Sequence, residues 1–312
     1  MNPTTDNRDI VVAALKHAAP YIRMFKHKIF VVKAGGEIFA QAESTRAFVE
    51  QMAILHQVGI RIVVVHGGGA QSTELATALG VPTQFVAGRR VTDEKSLEVA
   101  AMVLNGQINT RILAACRDVG LPAVGISGVD AGLIRAHRRP PVSIEGHETG
   151  TVDYGFVGDI DSVEADVLRT QLENGMVPVI SPLSADAAGT LLNINADTVA
   201  AALAAALNAE KLILMTGAPG VLEQRDDPTS LVSYLDLDGL QSLRDSGALA
   251  DGMLPKAVAI KAAINGGVQR VHIISYKLSD SLLLEVFTNE GTGTLVVKSI
   301  DTLSAEEQAP GA

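Results

Sequence analysis

Two short runs of β-branched residues in this chain end on glycines: IFVVKAGGEIF, beginning at Ile29, and RIVVVHGGGAQ, beginning at Arg61. The first carries Lys33 at its tip. A strand that stops on glycine presents bare backbone N–H groups at its carboxyl end, and glycine lets that backbone come close to a phosphate or carboxylate. Lys33 adds a point charge at the same place. Either cluster alone is also what an ordinary strand-to-helix turn looks like. Two of them, at the ends of strands expected to be parallel neighbours, point to an anion site. Neither matches a Walker-type phosphate loop or a dinucleotide-binding glycine fingerprint.

Three more segments carry groups with chemistry. AGRRVTDE, Ala87 to Glu94, sets Arg89 and Arg90 in a Gly- and Thr-containing turn before a helix. An arginine fork suits bidentate recognition of a carboxylate, although a solvated surface pair would read the same way. Arg89 is expected to be the solvated one. NINAD, Asn193 to Asp197, can supply a helix cap through Asn193 or Asn195, but it holds more amide and carboxyl groups than one cap needs. Asp197, in the first turn, could orient cations. DGMLPK, Asp251 to Lys256, opens a helix with a second lysine one turn in. Together with Lys33 it could clamp a transferring phosphoryl group from two sides.

These groups sit in an acidic chain. The formal net charge is −10 over 312 residues, which argues against a nucleic-acid partner because that needs a basic face. A small acidic substrate would have to find positive charge locally. Hydrophobic residues at 47% and charged residues at 19% are a globular composition. The single cysteine, Cys116, excludes an internal disulfide framework and fits a reducing compartment; it reads as a small apolar residue on a helix. Charged residues near the start interrupt any signal-peptide pattern, and no run reaches the ~18 apolar residues of a membrane span. A cytoplasmic protein without a membrane partner is expected.

The elements that must position the groups alternate along the chain. Residues 10–26 have helical spacing at Val11, Leu15, Ala18 and Ile22, with Pro20 expected to kink or end the helix. Strands at 29–33 and 60–65 flank a helix near 43–57, the pattern of a right-handed βαβ unit. Helices follow near 70–79 and 93–118, then short β segments at 122–126, 132–136, 142–145 and 151–158. MVPVISPL, KLILMTG and RVHIIS read as strands, the alanine-rich stretch after NINAD as a buried helix, and 236–246 and 253–266 as further helices. The expected fold is α/β: an open, mainly parallel central sheet sandwiched by helices, in two lobes that divide near Gly175.

In their order and spacing, KAGG, HGGG, GRRVTDE, NINAD and DGMLPK resemble the amino-acid kinase superfamily, nearest its N-acetylglutamate kinases, over about residues 28–298. APYIRMF and SLLLEVFTNEGTGTLV are similar to the arginine-sensitive branch, in which an N-terminal helix joins dimers into a hexameric ring. The resemblance implies ATP-dependent phosphorylation of the γ-carboxylate of N-acetyl-L-glutamate, a step of arginine synthesis. Mg²⁺ would arrive with the nucleotide, and no protein metal site is expected. Matched motif by motif, Lys33 and Lys256 would flank the transferring phosphoryl, with Asp197 orienting both. Gly35 and Gly36 would donate N–H groups to phosphate oxygens, with Thr216 and Gly217 on the nucleotide side. Gly67, Gly68, Arg90 and Asn193 would hold acetylglutamate. Tyr21, His272, Glu285 and Gly291 would hold a feedback arginine. The same likeness implies a helical extension at 1–27, a substrate and dimerisation lobe at 28–175, a nucleotide lobe at 176–300 and a loose tail at 301–312.

The chain departs from the family pattern at three places. Ala34 stands where a tyrosine is usual, and Gly217 where an aspartate usually helps with the nucleotide. Ser275, Tyr276 and Lys277 replace an Asp-Gly-Arg run beside the expected effector residues. Weaker ATP binding and altered arginine contacts are the corresponding expectations. Two other functions fit the same residues: a related kinase acting on another acyl amino acid, such as N-succinylglutamate, or a kinase-like regulatory subunit without turnover.

Overall fold

The computed structural model describes residues 7–143, 150–224, 227–249, 252–288 and 291–302. Asp251 of the DGMLPK motif and residues 303–312 of the expected tail lie outside the described residues.

Six strands line up in parallel in the order Arg270–Ser275, Lys211–Thr216, Ile29–Ala34, Arg61–His66, Val177–Ser181, Ala123–Ser127. Thr294–Val296 adds antiparallel to the Arg270–Ser275 edge, and Tyr234–Leu235 pairs with it, completing eight strands. The βαβ unit is as expected: Ile29–Ala34, the helix Ala42–Gln57, then Arg61–His66 alongside. The strand order adds what periodicity could not. The chain runs from Ile29–Ala34 to strands on one side of it, and only after Asn193 does it reach strands on the other side. Ile29–Ala34 is therefore the switch point of the sheet, and the crevice beyond its carboxyl end is where open α/β sheets bind ligands.

Alternation along each strand divides the core into two layers. Val31, Val63, Val65, Leu212 and Leu214 pack with the helices Ala196–Ala206 and Leu254–Asn265. Phe30, Val32, Ile62, Val64 and Ile213 face Ala42–Gln57 and Thr110–Asp118. Lys33 has the same parity as Val31, so it points to the Ala196–Ala206 side. A smaller four-stranded sheet, Leu191–Asn193, Leu183–Ala185, Ile134–Arg138 and Gly158–Val163, carries Asn193 towards that helix.

Three readings need correction. The helix Asn7–Phe25 runs through Pro20 without ending; Pro20 is exposed, so water can take the place of the N–H it lacks. The segment around Arg89 and Arg90 is a hairpin rather than a simple turn, with Gln84–Val86 paired to Arg89–Val91. The single helix expected at 93–118 is α-helical at Glu94–Ala101 and Thr110–Asp118, joined without a break by a π-helical stretch, Met102–Asn109.

Candidate active site

The carboxyl ends of the central strands open into a cleft of about 380 Å³. Lys33, Gly35, Gly36, Gly67, Gly68, Arg90, Asn193, Asp197, Thr216, Gly217 and Lys256, eleven residues singled out by sequence, all line it.

Its centre is a buried ion triad. Asp197 is 4% exposed, and its carboxylate meets Lys33 Nζ at 2.9 Å through Oδ1 and Lys256 Nζ at 3.2 Å through Oδ2. Each member is placed by a different element. Lys33 projects from the switch strand, Asp197 from the first turn of Ala196–Ala206, and Lys256 from the first turn of Leu254–Asn265, behind Pro255. Asn195 fixes the start of the Asp197 helix, its Oδ1 accepting from the N–H of Asp197 at 2.9 Å and of Thr198 at 3.1 Å. Burial alone would raise the Asp197 pKa; the charges of Lys33 and Lys256 outweigh it and hold the carboxyl below its ordinary value. The carboxylate is ionised, so the three groups together carry one net positive charge. Against a chain of net charge −10, this is the local cationic centre an anionic ligand requires.

Two glycine clusters form the floor, and close approach explains them. A Cβ on Gly36 would lie 2.9 Å from Gly68 Cα, and one on Gly68 would lie 2.6 Å from Ile108 Cδ1 and 2.7 Å from Leu104 Cδ2. Gly68 caps the helix Gly69–Ala78, whose Gly69 and Ser72 line the cleft, and a helix N-terminus is a favourable place for an anion. Behind the floor, His66 is fully buried. Its Nδ1–H donates to Gly67 O at 3.1 Å, which leaves Nε2 to accept from Asn109 Nδ2 at 3.3 Å. Burial pushes the His66 pKa down to about 4, so the ring is neutral and the bonds keep one sense.

Arg90 reaches the cleft from the hairpin. Its Nη2 donates to Gly69 O at 3.0 Å and Thr73 Oγ1 at 2.6 Å, and the guanidinium lies 4.9 Å from the Phe85 ring centroid across the strand pair. The remaining guanidinium N–H groups have no partner among the described residues. Arg89 is exposed, as expected.

Among the described residues no three His, Cys, Asp or Glu side chains converge to hold a metal ion. Asp197 is engaged by two lysines, and Glu37, at the mouth by Gly35, is the other carboxylate lining the cleft. This donor set suits a hard cation that keeps phosphate and water ligands, not one held in a protein cage.

Of the expected effector residues, His272, Glu285 and Gly291 form a separate cluster, on the Lys211 half of its strands and away from the cleft. His272 Nδ1 donates to Glu285 Oε1 at 2.5 Å, and Glu285 Oε2 accepts from Thr292 N at 2.6 Å, beside Gly291. His272 Nε2 faces Lys211 Nζ at 3.1 Å, so the imidazole is the neutral acceptor; burial first, then Lys211, holds its pKa at about 4. Lys211 escaped the sequence reading because it opens an otherwise apolar strand. Its ammonium lies 5.0 Å from the centroid of the Phe25 ring, which ties this cluster to the N-terminal helix, one turn beyond Tyr21. The Ser275-Tyr276-Lys277 run, read from sequence as a neighbour of this cluster, is instead at the opposite strand end. Tyr276 lines the cleft. The carboxyl-terminal half of the strand, His272 to Ser275, lies between the two places.

The chain is similar to known proteins over most of its length. Residues 28–275 match the amino acid kinase family. Among curated proteins, an acetylglutamate kinase of Myxococcus xanthus is 50% identical over 92% of this chain and 94% of its own. One of Symbiobacterium thermophilum is 48% identical over 92% and 97%. Among solved structures, N-acetylglutamate synthase of Neisseria gonorrhoeae with coenzyme A and N-acetyl-glutamate superposes with a TM-score of 0.80 at 30% identity. That match covers 92% of this chain but only 63% of the synthase. The same synthase with coenzyme A and L-arginine gives a TM-score of 0.79.

Proposed function

The chain belongs to the amino acid kinase family, and from that premise we propose how its residues divide the work of an acetylglutamate kinase. The reaction moves the terminal phosphoryl group of ATP to the side-chain carboxylate of N-acetyl-L-glutamate, in arginine biosynthesis. A carboxylate oxygen attacks the γ-phosphorus, the bond to the β-phosphate oxygen breaks, and ADP leaves with the electron pair. The nucleophile is already ionised at pH 7, so no general base is needed and the protein's task is positioning and charge stabilisation.

Lys33 and Lys256 take the two sides of the transferring group, where charge spreads over its equatorial oxygens. Asp197 positions both ammonium groups. Gly35 and Gly36 donate N–H groups to phosphate oxygens, with Thr216 and Gly217 on the nucleotide side. Gly67, Gly68, Asn193 and the open N–H groups of Arg90 take acetylglutamate, Arg90 through the α-carboxylate. On this reading residues 28–175 form the acetylglutamate lobe and 176–300 the nucleotide lobe. The divalent ion accompanying ATP is Mg²⁺, held by phosphates, and it neutralises phosphate charge when bound.

The observation that carries this reading is one buried carboxylate holding two lysines from distant elements at the switch-point crevice. An ADP-release assay tests it: Lys33→Ala and Lys256→Ala should each lower kcat by about 10²–10³, the cost of losing one transition-state donor. Full turnover in either variant would sink it. N-succinylglutamate run beside N-acetylglutamate tests the acyl preference.

Feedback by arginine at the Lys211–His272–Glu285 cluster belongs to the same reading, supported by the arginine-bound synthase and by the link to the N-terminal helix. So do a homodimer and its extension to a hexamer through that helix. A cytoplasmic location rests on composition, with one cysteine in 312 residues; among the described residues no helix is long and apolar enough to cross a membrane.

A further inference from the structure

Two of the departures from the family pattern, Gly217 and Ser275-Tyr276-Lys277, lie far apart in sequence and touch in the fold. They leave adjacent parallel strands in register: Thr216 pairs with Ser275, and Tyr276 N donates to Thr216 O at 3.0 Å. A Cβ on Gly217 would lie 3.4 Å from Tyr276 Oη, 3.6 Å from Tyr276 Cε1 and 3.7 Å from Lys277 Cε. Both side chains therefore extend across the bare Cα of Gly217, over the ground that a side chain at 217 would share.

The Tyr276 ring is half-buried and packs against the core layer that includes Met215 and Ile274, so its position is fixed. Its hydroxyl has no hydrogen-bond partner among the described residues, although Tyr276, Thr216 and Gly217 all line the cleft with Lys33 and Lys256. Lys277 is exposed and has no ion-pair partner among the described residues. In a chain with ten more acidic than basic side chains, a lysine and an anchored hydroxyl that both lack partners among the described residues suit an oxygen-rich anion.

We propose that Tyr276 and Lys277 hold the nucleotide. The Lys277 ammonium pairs with the phosphates that are not transferred, and Tyr276 Oη donates to the same phosphate chain while its ring walls that end of the cleft. Lys277 keeps the positive charge of the arginine in the family pattern, and the loss of a carboxylate at 217 leaves that charge without an acidic neighbour there. A carboxylate there would compete with the phosphates for Lys277. Nucleotide recognition at this end rests on phosphate charge. The inference depends on the reading of the cleft as the ATP and acetylglutamate site.

Calorimetric titration of the full chain with Mg²⁺ and the non-hydrolysable analogue AMP-PNP, with ADP and with adenosine tests it. Lys277→Ala should raise Kd for AMP-PNP and ADP about tenfold, the size of one charge-assisted contact, and leave adenosine unchanged. Lys277→Arg should restore phosphate binding. Tyr276→Phe should weaken AMP-PNP several-fold, and in the assay both losses should fall on the KM for ATP and not on that for acetylglutamate. Lys298→Ala, an exposed lysine elsewhere, controls for net charge. A change below twofold in both Lys277→Ala and Tyr276→Phe overturns the inference. So does an equal loss for adenosine, or an equal loss in Lys298→Ala. If the wild-type chain binds no AMP-PNP, the function reading falls with it; if only Lys256→Ala keeps full turnover, that reading falls alone.

Discussion

Arg90 separates substrate binding from catalysis at the level of a single side chain. Two of its contacts are spent on Gly69 O and Thr73 Oγ1, which fixes the fork; the rest is available to a carboxylate. Arg90→Ala should raise KM for acetylglutamate by about 2 kcal/mol, roughly 30-fold, and change KM for ATP far less. Arg89→Ala is the control. Equal effects on both substrates would count against the assignment. His66 gives a pH signature. Its folded pKa, about 4, lies below the ordinary 6.5, so between those values the unfolded chain binds a proton that the folded chain refuses. Stability is full above pH 6.5 and falls as pH drops towards 4, by up to roughly 3 kcal/mol. His272 acts in the same window and with the same sign. Glu285, held at about 2 against 4.5, adds a further loss below pH 4.5. Denaturant melts at pH 7 and 4.5 should show this slope, and His66→Gln should flatten it; an unchanged slope would refute the assignment.

At the scale of elements, Gly68 is where the floor is tightest. Gly68→Ala should cost about 1–3 kcal/mol through overlap with Leu104 and Ile108, whereas Gly69→Ala, with open space at its Cβ, should cost nothing. Thermal melts decide, and equal melting temperatures would remove the close-approach account. Much of this level is legible in the sequence: β-branched runs ending on glycine place Lys33, Gly35, Gly67 and Gly68 at strand ends. The hairpin was not, because its turn is Ala87-Gly88, both at positive φ, without the Asn-Gly or Asp-Gly pair that signals such turns. The π-helical stretch was hidden for a related reason. Val99, Val103, Ile108, Ile112 and Cys116 share one core layer at spacings of four, with a single five between Val103 and Ile108. The wider turns absorb that slip, and an averaged helical period does not register it. Tyr276 and Lys277 were visible as departures, but only strand register puts them beside Gly217.

For the whole molecule, the proposed assembly turns on the N-terminal helix. Its last turn is anchored, with Phe25 buried edge-on to Phe30 at 5.3 Å, while Ile10, Val11, Val12 and Leu15 are exposed. An apolar stripe of this kind favours a partner, and on the proposed reading that partner is the same helix of a neighbouring dimer, which would satisfy closed symmetry. Sedimentation of the wild-type chain against Val11→Glu with Leu15→Glu should give a hexamer and a dimer, since neither change touches the anchored end. The same mass for both would remove the ring.

The switch-point topology also governs how the protein is made. Lys33 and the glycine floor belong to the first part of the chain, Asp197 follows after the neighbouring strands, and Lys256 comes later still. During synthesis the ribosome delivers Asp197 with only one of its two lysines, and it must continue past the helix Leu254–Asn265 before the second carboxylate oxygen has its partner in its buried place. A prematurely terminated chain would therefore emerge with a neutral Asp197–Lys33 pair, without the net positive charge that an anionic ligand requires.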